Sequence, residues 1–222
     1  LFCIAAFAGA FALFDQWQDE AQAAVSPNIV ISQVYGGGGV AAQSPFRNDF
    51  IELFNRGSIP VSLSGWSVQF SHSDSSSWST TALPNVTLQP GQYFLVQQGS
   101  SGANGVLLPT PDVTATINMH PINGRVALVN STTALSGACP ITNSSIVDFF
   151  GYGNSACFEG LAGLANMTID TAGKRNASGC VDTDQNAADF TVATPTPRNT
   201  SSPVANCGSL EFPLMMSAAA SP

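Results

Sequence analysis

The most restrictive feature of this chain is a series of short β-type runs separated by turn residues. Each run is four to seven residues long, is rich in Val, Ile, Phe and Tyr, and is bounded by Gly, Pro, Asn or Ser. The runs are residues 29–35, 50–54, 66–70, 93–97, 126–129 and 146–150. No segment after residue 23 has a helical period. Six or more short strands joined by turns predict an all-β sandwich or barrel.

The charge composition narrows the classes of partner. Only 9% of the residues are charged and 44% are hydrophobic, and six Lys and Arg residues against fourteen Asp and Glu residues give a net charge of −8. Low charge is atypical of disordered acidic tails and of helical bundles, so a folded β domain fits better. A chain with so few cations has little with which to hold a phosphate backbone. We therefore expect no nucleic-acid partner, and we expect a monomer.

The first 23 residues predict a secretion signal. The run LFCIAAFAGAFALF (1–14) is apolar but short for a bilayer span, and the polar stretch after it ends in the A-x-A pattern of residues 21–23. We expect cleavage after Ala23 and no membrane segment afterwards, with an uncleaved N-terminal anchor as the alternative. The missing basic region and initiating Met indicate a signal that is incomplete at its N-terminus. The chain then divides into a signal (1–23), a β domain (24–207) and a flexible tail or linker (208–222).

Cysteine usage agrees with export. Cys3 falls within the signal, and the even number that remains predicts a disulfide framework in an oxidising compartment. The four are Cys139, Cys157, Cys180 and Cys207. They allow three pairings, of which we favour 139–157 with 180–207 because nearest-neighbour closure is the simplest. No C-x-x-C spacing occurs, which argues against zinc.

The stretch RNDFIELFNRG (47–57) places two carboxylates in an aromatic run. Alternate residues share a strand face, so Glu52 lies with its aromatic neighbours and Asp49 lies on the opposite face. The two carboxylates therefore cannot converge on one substrate as an acid and a base. A charge at Glu52 would be costly without a partner, so we expect backbone N–H groups or Arg56 to bind it.

Six segments follow one another in order over residues 27–200: IVISQVY, NDFIELFNRGSIPVSLSGWSVQF, LQPGQYFLV, GRVALVN, SIVDFFGYG and DTDQNAADFTVATPTPRN. Together they resemble the lamin tail domain in its secreted bacterial form. The most specific part of the resemblance is IELFN followed by LSGW. The resemblance implies an immunoglobulin-like antiparallel β-sandwich, with Trp66 packed in the core and Gly65 in the turn before it. Like Glu52, these residues would have structural roles.

The same resemblance indicates a function. The family has no established catalytic residues, so none is carried over and we expect that the chain is not an enzyme. Bacterial members commonly lie beside, or are fused to, extracellular nucleases, phosphatases, other hydrolases or surface-anchoring modules. We expect a secreted, noncatalytic interaction or adhesion module that binds an extracellular protein or polysaccharide. The alternative is an accessory domain of a larger extracellular hydrolase whose catalytic part lies outside this chain.

One acidic loop is a candidate metal site. Asp182, Asp184, Asn186 and Asp189 offer oxygen ligands at D-x-D-x-N spacing, and calcium binds six to eight such oxygens. The loop lacks the Gly and Glu of an EF-hand, since Ala187 and Ala193 occupy those positions. The alternative is a set of Asx turns leading into a strand at residue 190. We therefore expect no cofactor, and calcium is the one ion that this loop could bind.

Three other features favour structural interpretations. GNSAC (153–157) is a near miss to G-x-S-x-G, and only His72 and His120 are available as a base. Trp78, in a Ser-rich loop with His72 and Asp74, would either stack on a sugar ring or plug the core. The four glycines at 36–39 lack a following Lys-Ser or Lys-Thr, so they predict a mobile loop rather than a phosphate site.

Overall fold

The computed structural model describes residues 25–73 and 75–208. The predicted signal (1–23), Asp74, and the predicted tail after Gly208 lie outside the described residues. Within the described ranges, no helix is long and apolar enough to cross a membrane.

Short strands dominate the described part of the chain, as the sequence predicts. The six predicted runs coincide with the first, second, fourth, seventh, ninth and tenth strands, and the shorter strands lie between or after them. The strands are β1 (Ile29–Tyr35), β2 (Phe50–Asn55), β3 (Val61–Ser62), β4 (Ser67–Ser71), β5 (Ser79–Ala82), β6 (Thr87–Leu88), β7 (Tyr93–Gln97), β8 (Val113–Thr114), β9 (Gly124–Val129), β10 (Ile146–Tyr152), β11 (Ala172–Arg175) and β12 (Phe190–Ala193). A 3-10 turn (Ala177–Gly179) and a one-turn helix α1 (Asn186–Asp189) precede β12.

The strands form an antiparallel sandwich, which confirms the predicted immunoglobulin-like fold class. One sheet has six strands in the order β12-β11-β1-β2-β7-β8, and the other has four in the order β10-β9-β4-β5. Strands β3 and β6 form a separate two-stranded ribbon. The pairing of β7 with β8 is parallel, and the other strand pairs are antiparallel.

The main core fills the space between the two sheets. In β2, Ile51 and Leu53 point into this core, as the two-residue period of a strand requires. Val126 and Leu128 of β9, in the opposite sheet, belong to the same core. Trp66 is half-buried and packs against this core, and Gly65 before it has φ +79, a left-handed conformation that favours glycine at a turn.

A C-terminal strap (residues 194–207) covers the outer face of the six-stranded sheet. Thr196 exchanges two backbone hydrogen bonds with the Gln33 side chain of β1, at 2.7 and 3.1 Å. Ala205 N–H donates to the Gly91 carbonyl at 3.0 Å, just before β7. Because the strap covers the outer face, β2 is buried on both sides, and its polar outward-facing Glu52 must find partners inside the protein.

Two disulfides fix the segments around the sheets. They join Cys139 to Cys157 and Cys180 to Cys207, which is the nearest-neighbour pairing. The second ties the end of the strap to the residue after the 3-10 turn. Two intact disulfides fit folding in an oxidising compartment.

The glycine run 36–39 is a packed turn, so the interpretation as a mobile loop is wrong. All four residues are buried. A Cβ atom on Gly37 would lie 2.3 Å from the Ile169 carbonyl oxygen, and one on Gly38 would lie 2.3 Å from the Asn48 carbonyl carbon. Glycine is used here because neighbouring backbone approaches closely.

Candidate functional site

A buried acidic cluster joins the two sheets around one arginine. Asp148 lies in β10 immediately after a β-bulge, and bulges commonly reorient side chains in this way. Its carboxylate accepts the Ile31 N–H of β1, in the other sheet. It also binds Arg175 of β11 through both oxygens, at 2.7 and 2.8 Å. The cluster comprises Asp148, Glu159, Asp182, Asp184 and Asp189 around Arg175.

Arg175 is the centre of this cluster. Its side chain is fully buried and donates to Asp182 Oδ1 at 2.9 Å and to the Ile31 carbonyl at 2.8 Å. The guanidinium carbon lies 4.4 Å from the Phe190 ring centroid. The guanidinium binds two carboxylates and the Ile31 and Val181 carbonyls together, which is more acceptors than the three N–H donors of a lysine could serve. The cluster is therefore an internal, hydrogen-bonded ion-pair network.

The four residues of the predicted calcium loop already have protein partners. Asp182 Oδ2 accepts the Ser26 N–H at 3.0 Å and lies 3.5 Å from Arg56 Nη1. Asn186 Oδ1 accepts two N–H groups, the nearer from Gly151 at 2.8 Å. Asp184 is buried with φ +53.

Asp189 closes the loop on itself. Its Oδ1 accepts the Thr183 hydroxyl at 2.7 Å, and its Oδ2 accepts the Thr183 N–H at 2.8 Å. A further N–H, that of Gln185, lies 3.2 Å from Oδ2. This pattern matches the alternative of turn-forming hydrogen bonds before β12.

The cluster also contains three carboxylates close enough to share an ion. Asp148, Glu159 and Asp182 each place an oxygen within 4.8 Å of the others, so Asp182 alone is common to this group and the predicted loop. Calcium requires six or more oxygen ligands. Here Arg175 already binds two of the three carboxylates, so these residues fit a guanidinium better than they fit calcium. The calcium site stays a prediction.

Burial shifts the titration of this cluster. Burial raises the pKa of Glu159 well above its usual range, and the charge of Asp148 raises it further. Burial likewise raises the pKa of Asp148, against the opposing effect of Arg175. Asp184 has its pKa raised to about 6, mainly by burial. Protons are therefore bound more tightly by the folded cluster than by the unfolded chain.

Glu52 forms a second internal ion pair, with a partner that the sequence did not predict. Its carboxylate binds Arg198 of the strap, with Nη2 at 2.7 Å and the backbone N–H at 2.6 Å, and it accepts the Ser32 hydroxyl at 2.6 Å. The predicted backbone N–H partner is therefore present, but Arg56 as the partner is wrong. Arg56 instead donates to the Ser26 and Cys180 carbonyls. The strap brings Arg198 across the sheet, where Arg56 does not reach.

Asp49 and Glu52 do not converge, as strand geometry predicts. Asp49 accepts the Gly38 N–H at 2.7 Å and the Met119 N–H at 2.8 Å, so it holds two loops together on the other side of the strand. Burial raises the pKa of Asp49 to about 7. The pair is structural and offers no acid and base to one substrate.

The remaining candidates are also structural. The Ser155 hydroxyl donates to the Cys157 carbonyl at 2.8 Å and is buried. Trp78 is 7% exposed, its Nε1 donates to the Gly137 carbonyl at 3.1 Å, and its ring meets Phe149 edge-on. The interpretation of Trp78 as a sugar-stacking platform is wrong, because the ring plugs the space beside the Cys139–Cys157 disulfide.

A cationic cleft opens where the strap passes β11 and β12. Lys174 Nζ donates to the Thr196 hydroxyl at 2.6 Å, and Arg198 lies over the Tyr93 ring at 3.7 Å. The cleft has a volume of about 340 Å³. It is lined by Lys174, Arg175, Asn176, Ala177, Ser178, Thr191, Ala193 and Arg198.

Comparison with known proteins identifies the family. The Lamin Tail Domain family matches residues 22–154, which is more than half of the chain. The chain belongs to the lamin tail domain family. No curated protein matches it. A similar solved structure is a DUF4876 family protein from Bacteroides thetaiotaomicron, with 11% identity, a TM-score of 0.50, and 82% of this chain and 75% of that chain covered. At that identity the likeness supports the β fold alone.

The lamin tail domain match ends before much of the chemistry described above. Arg175, Arg198 and the 182–189 loop all follow residue 154, whereas Glu52 and Asp148 precede it. Sequence reasoning missed Asp148 and Arg175. A signal for Asp148 exists in SIVDFFGYG, because a lone carboxylate in an apolar strand requires a buried donor.

Proposed function

We propose that this lamin tail domain is a secreted, noncatalytic interaction module that binds a protein or polysaccharide at the cell exterior. The observation that carries the proposal is that the candidate catalytic and metal-binding side chains are used internally. Glu52 pairs with the partly exposed Arg198, Asp148 and Asp182 pair with the buried Arg175, and Ser155 binds a neighbouring carbonyl. Groups held in this way stabilise a scaffold, and the contacts to a partner are left to its loops.

One end of the sandwich offers a surface for such contacts. The loops at 39–47 and 104–108 lie side by side, with Arg47 N–H donating to the Val106 carbonyl at 2.8 Å. They expose Val40, Val106 and Leu107, the last at 68%. Neighbouring exposed apolar side chains on rigidly hydrogen-bonded loops are typical of contact surfaces.

A binding assay with a turnover readout tests the proposal. The purified chain is incubated with cell-surface material and with a panel of insoluble polysaccharides, and bound protein and released products are both measured. We expect saturable binding without product, and a loss of binding in Leu107→Ser. Leu161→Ser is the control, since Leu161 is 88% exposed near α1, away from these loops. Product release that increases in proportion to the concentration of the purified chain would contradict the noncatalytic role.

A further inference from the structure

The cationic cleft contains a positive charge that the protein does not neutralise. Among the described residues, Lys174 forms no ion pair, and its Nζ donates to the neutral Thr196 hydroxyl. The nearby Arg198 is neutralised by Glu52, and Arg175 by Asp148. The lining of the cleft contains these three cations and no carboxylate, and Lys174 is the one whose charge is not already paired with an acidic side chain, on a chain whose net charge is −8.

The surroundings of Lys174 disfavour its positive charge. Partial burial lowers the pKa of its ammonium group and the positive charge of Arg198 lowers it further, against the opposing effect of Glu52. An anion placed beside Nζ would relieve both effects, because an opposite charge favours the ionised form. The cleft therefore suits a small negative group beside Nζ.

The walls of the cleft are polar and rigid. Ala177 and Ser178 have φ of 49 and 60, a left-handed conformation that non-glycine residues rarely adopt. The Tyr93 hydroxyl holds this turn by donating to the Ser178 carbonyl at 2.8 Å. The Thr191 hydroxyl, also in the lining, donates to Asn176 Oδ1 at 2.7 Å. Exposed hydroxyls and an amide suit a hydroxylated ligand, whereas two alanines offer little to an apolar side chain.

We propose that the cationic cleft binds the carboxylate of an acidic sugar residue, with Lys174 as the charge partner and the Ser178 and Thr191 hydroxyls facing the ring. This proposal rests on the proposed function only in taking the ligand to be extracellular. The cleft is a different surface from the loops at 39–47 and 104–108. A single carboxylate is favoured over a long polyanion, because the net charge of −8 would repel each further negative group.

The only lysine in the chain is Lys174, so it can be observed directly. The purified chain is labelled with 13C-lysine and titrated with methyl glucuronoside, methyl glucoside and acetate while the single 13Cε resonance is followed. We expect methyl glucuronoside to shift this resonance and to raise the pKa of Lys174. Methyl glucoside should leave both unchanged, and acetate should act only at much higher concentration. Equal responses to acetate and methyl glucuronoside, or no response to either, would overturn the proposal.

Variants separate the cleft from general charge effects. Lys174→Gln should weaken the binding of methyl glucuronoside, measured by calorimetry, by about tenfold or more, the effect of losing a charge-assisted hydrogen bond. Leu161→Glu makes the net charge more negative by the same one unit, at an exposed position outside the cleft and outside the proposed contact loops, and should leave the affinity unchanged. An equal loss in both variants would contradict the assignment. The binding of extracellular material through the loops at 39–47 and 104–108 is measured separately in Lys174→Gln. If that binding is retained while methyl glucuronoside binding is lost, the cleft binds the sugar and the loops carry the proposed interaction role.

Discussion

The ion pair between Glu52 and Arg198 provides a sharp test of how the strap stabilises the sandwich. Arg198→Ala removes two side-chain hydrogen bonds to a fully buried carboxylate and a cation over Tyr93. Removing one partner of a buried pair typically costs about 3–5 kcal/mol. Glu52 would keep the Ser32 hydroxyl and one backbone N–H, and the Arg198 side chain is 25% exposed. We therefore expect the lower end, a loss of about 3 kcal/mol in the free energy of unfolding.

Urea denaturation with the disulfides intact measures this loss. For a domain of this size, about 3 kcal/mol corresponds to a fall of roughly 6–12 °C in Tm. Arg47→Ala is the matched control, because Arg47 is exposed and has no ion pair in the described ranges. Its effect should stay within about 0.5 kcal/mol.

A double-mutant cycle assigns the loss to the charge of Glu52. In a Glu52→Gln background, Arg198→Ala should cost about 1 kcal/mol or less, because no unpaired charge remains. Burial raises the pKa of Glu52, so the folded state favours the protonated carboxyl and the penalty of Arg198→Ala should shrink as the pH falls from 8 to 5. A loss no larger than that of Arg47→Ala, or an undiminished loss in the Glu52→Gln background, would refute this reasoning.

Three further predictions concern pH, metal and disulfide. Since burial raises the pKa of Asp49 from 3.8 to about 7, the folded state binds its proton more tightly, and stability should rise as the pH falls from about 7 towards 4; Asp49→Asn should flatten that slope in urea titrations. Millimolar calcium should leave Tm unchanged relative to EDTA, whereas a rise that is lost in Asp182→Asn would establish the calcium site. Replacing Cys180 and Cys207 by alanine opens a loop with a sequence separation of 27 and should lower the free energy of unfolding, measured in urea, by about 3.5 kcal/mol. An unchanged free energy would mean that the strap is held without the disulfide.

The parts of the fold that could be predicted are those with a local signal. Strands β1, β2 and β7 are long, β-branched or aromatic, and bounded by turn residues, so their pattern defines them. The two-residue strands β3, β6 and β8 are too short to have a period. Strand β11 reads AGKR and has no apolar alternation, because its Arg175 points inward to carboxylates rather than to hydrocarbon. A strand whose inward residue is an ion-pair partner cannot be recognised from hydrophobicity.

The ion pairs were less predictable than the strands. Burial of Glu52 follows from its aromatic neighbours, and the need for a donor follows from burial. The identity of that donor does not, because Arg198 is 146 residues away in sequence and Arg56 is only four. The strap decides between them, and its course over the sheet is set by contacts such as Thr196 with Gln33 that have no local sequence signature.

The scarcity of cations connects the scaffold to its proposed binding role. The chain has six Lys and Arg residues. Three of them, Arg56, Arg175 and Arg198, form ion pairs with Asp or Glu residues whose side chains are buried. A buried carboxylate without a cation is costly, so these arginines are committed to the fold and are not available to a ligand. Lys174 differs because it lies at the edge of that network, held at a neutral hydroxyl and facing an open cleft. Partial burial lowers the pKa of Lys174, and an anion bound beside Nζ would oppose that effect, so Lys174 is the first residue to test.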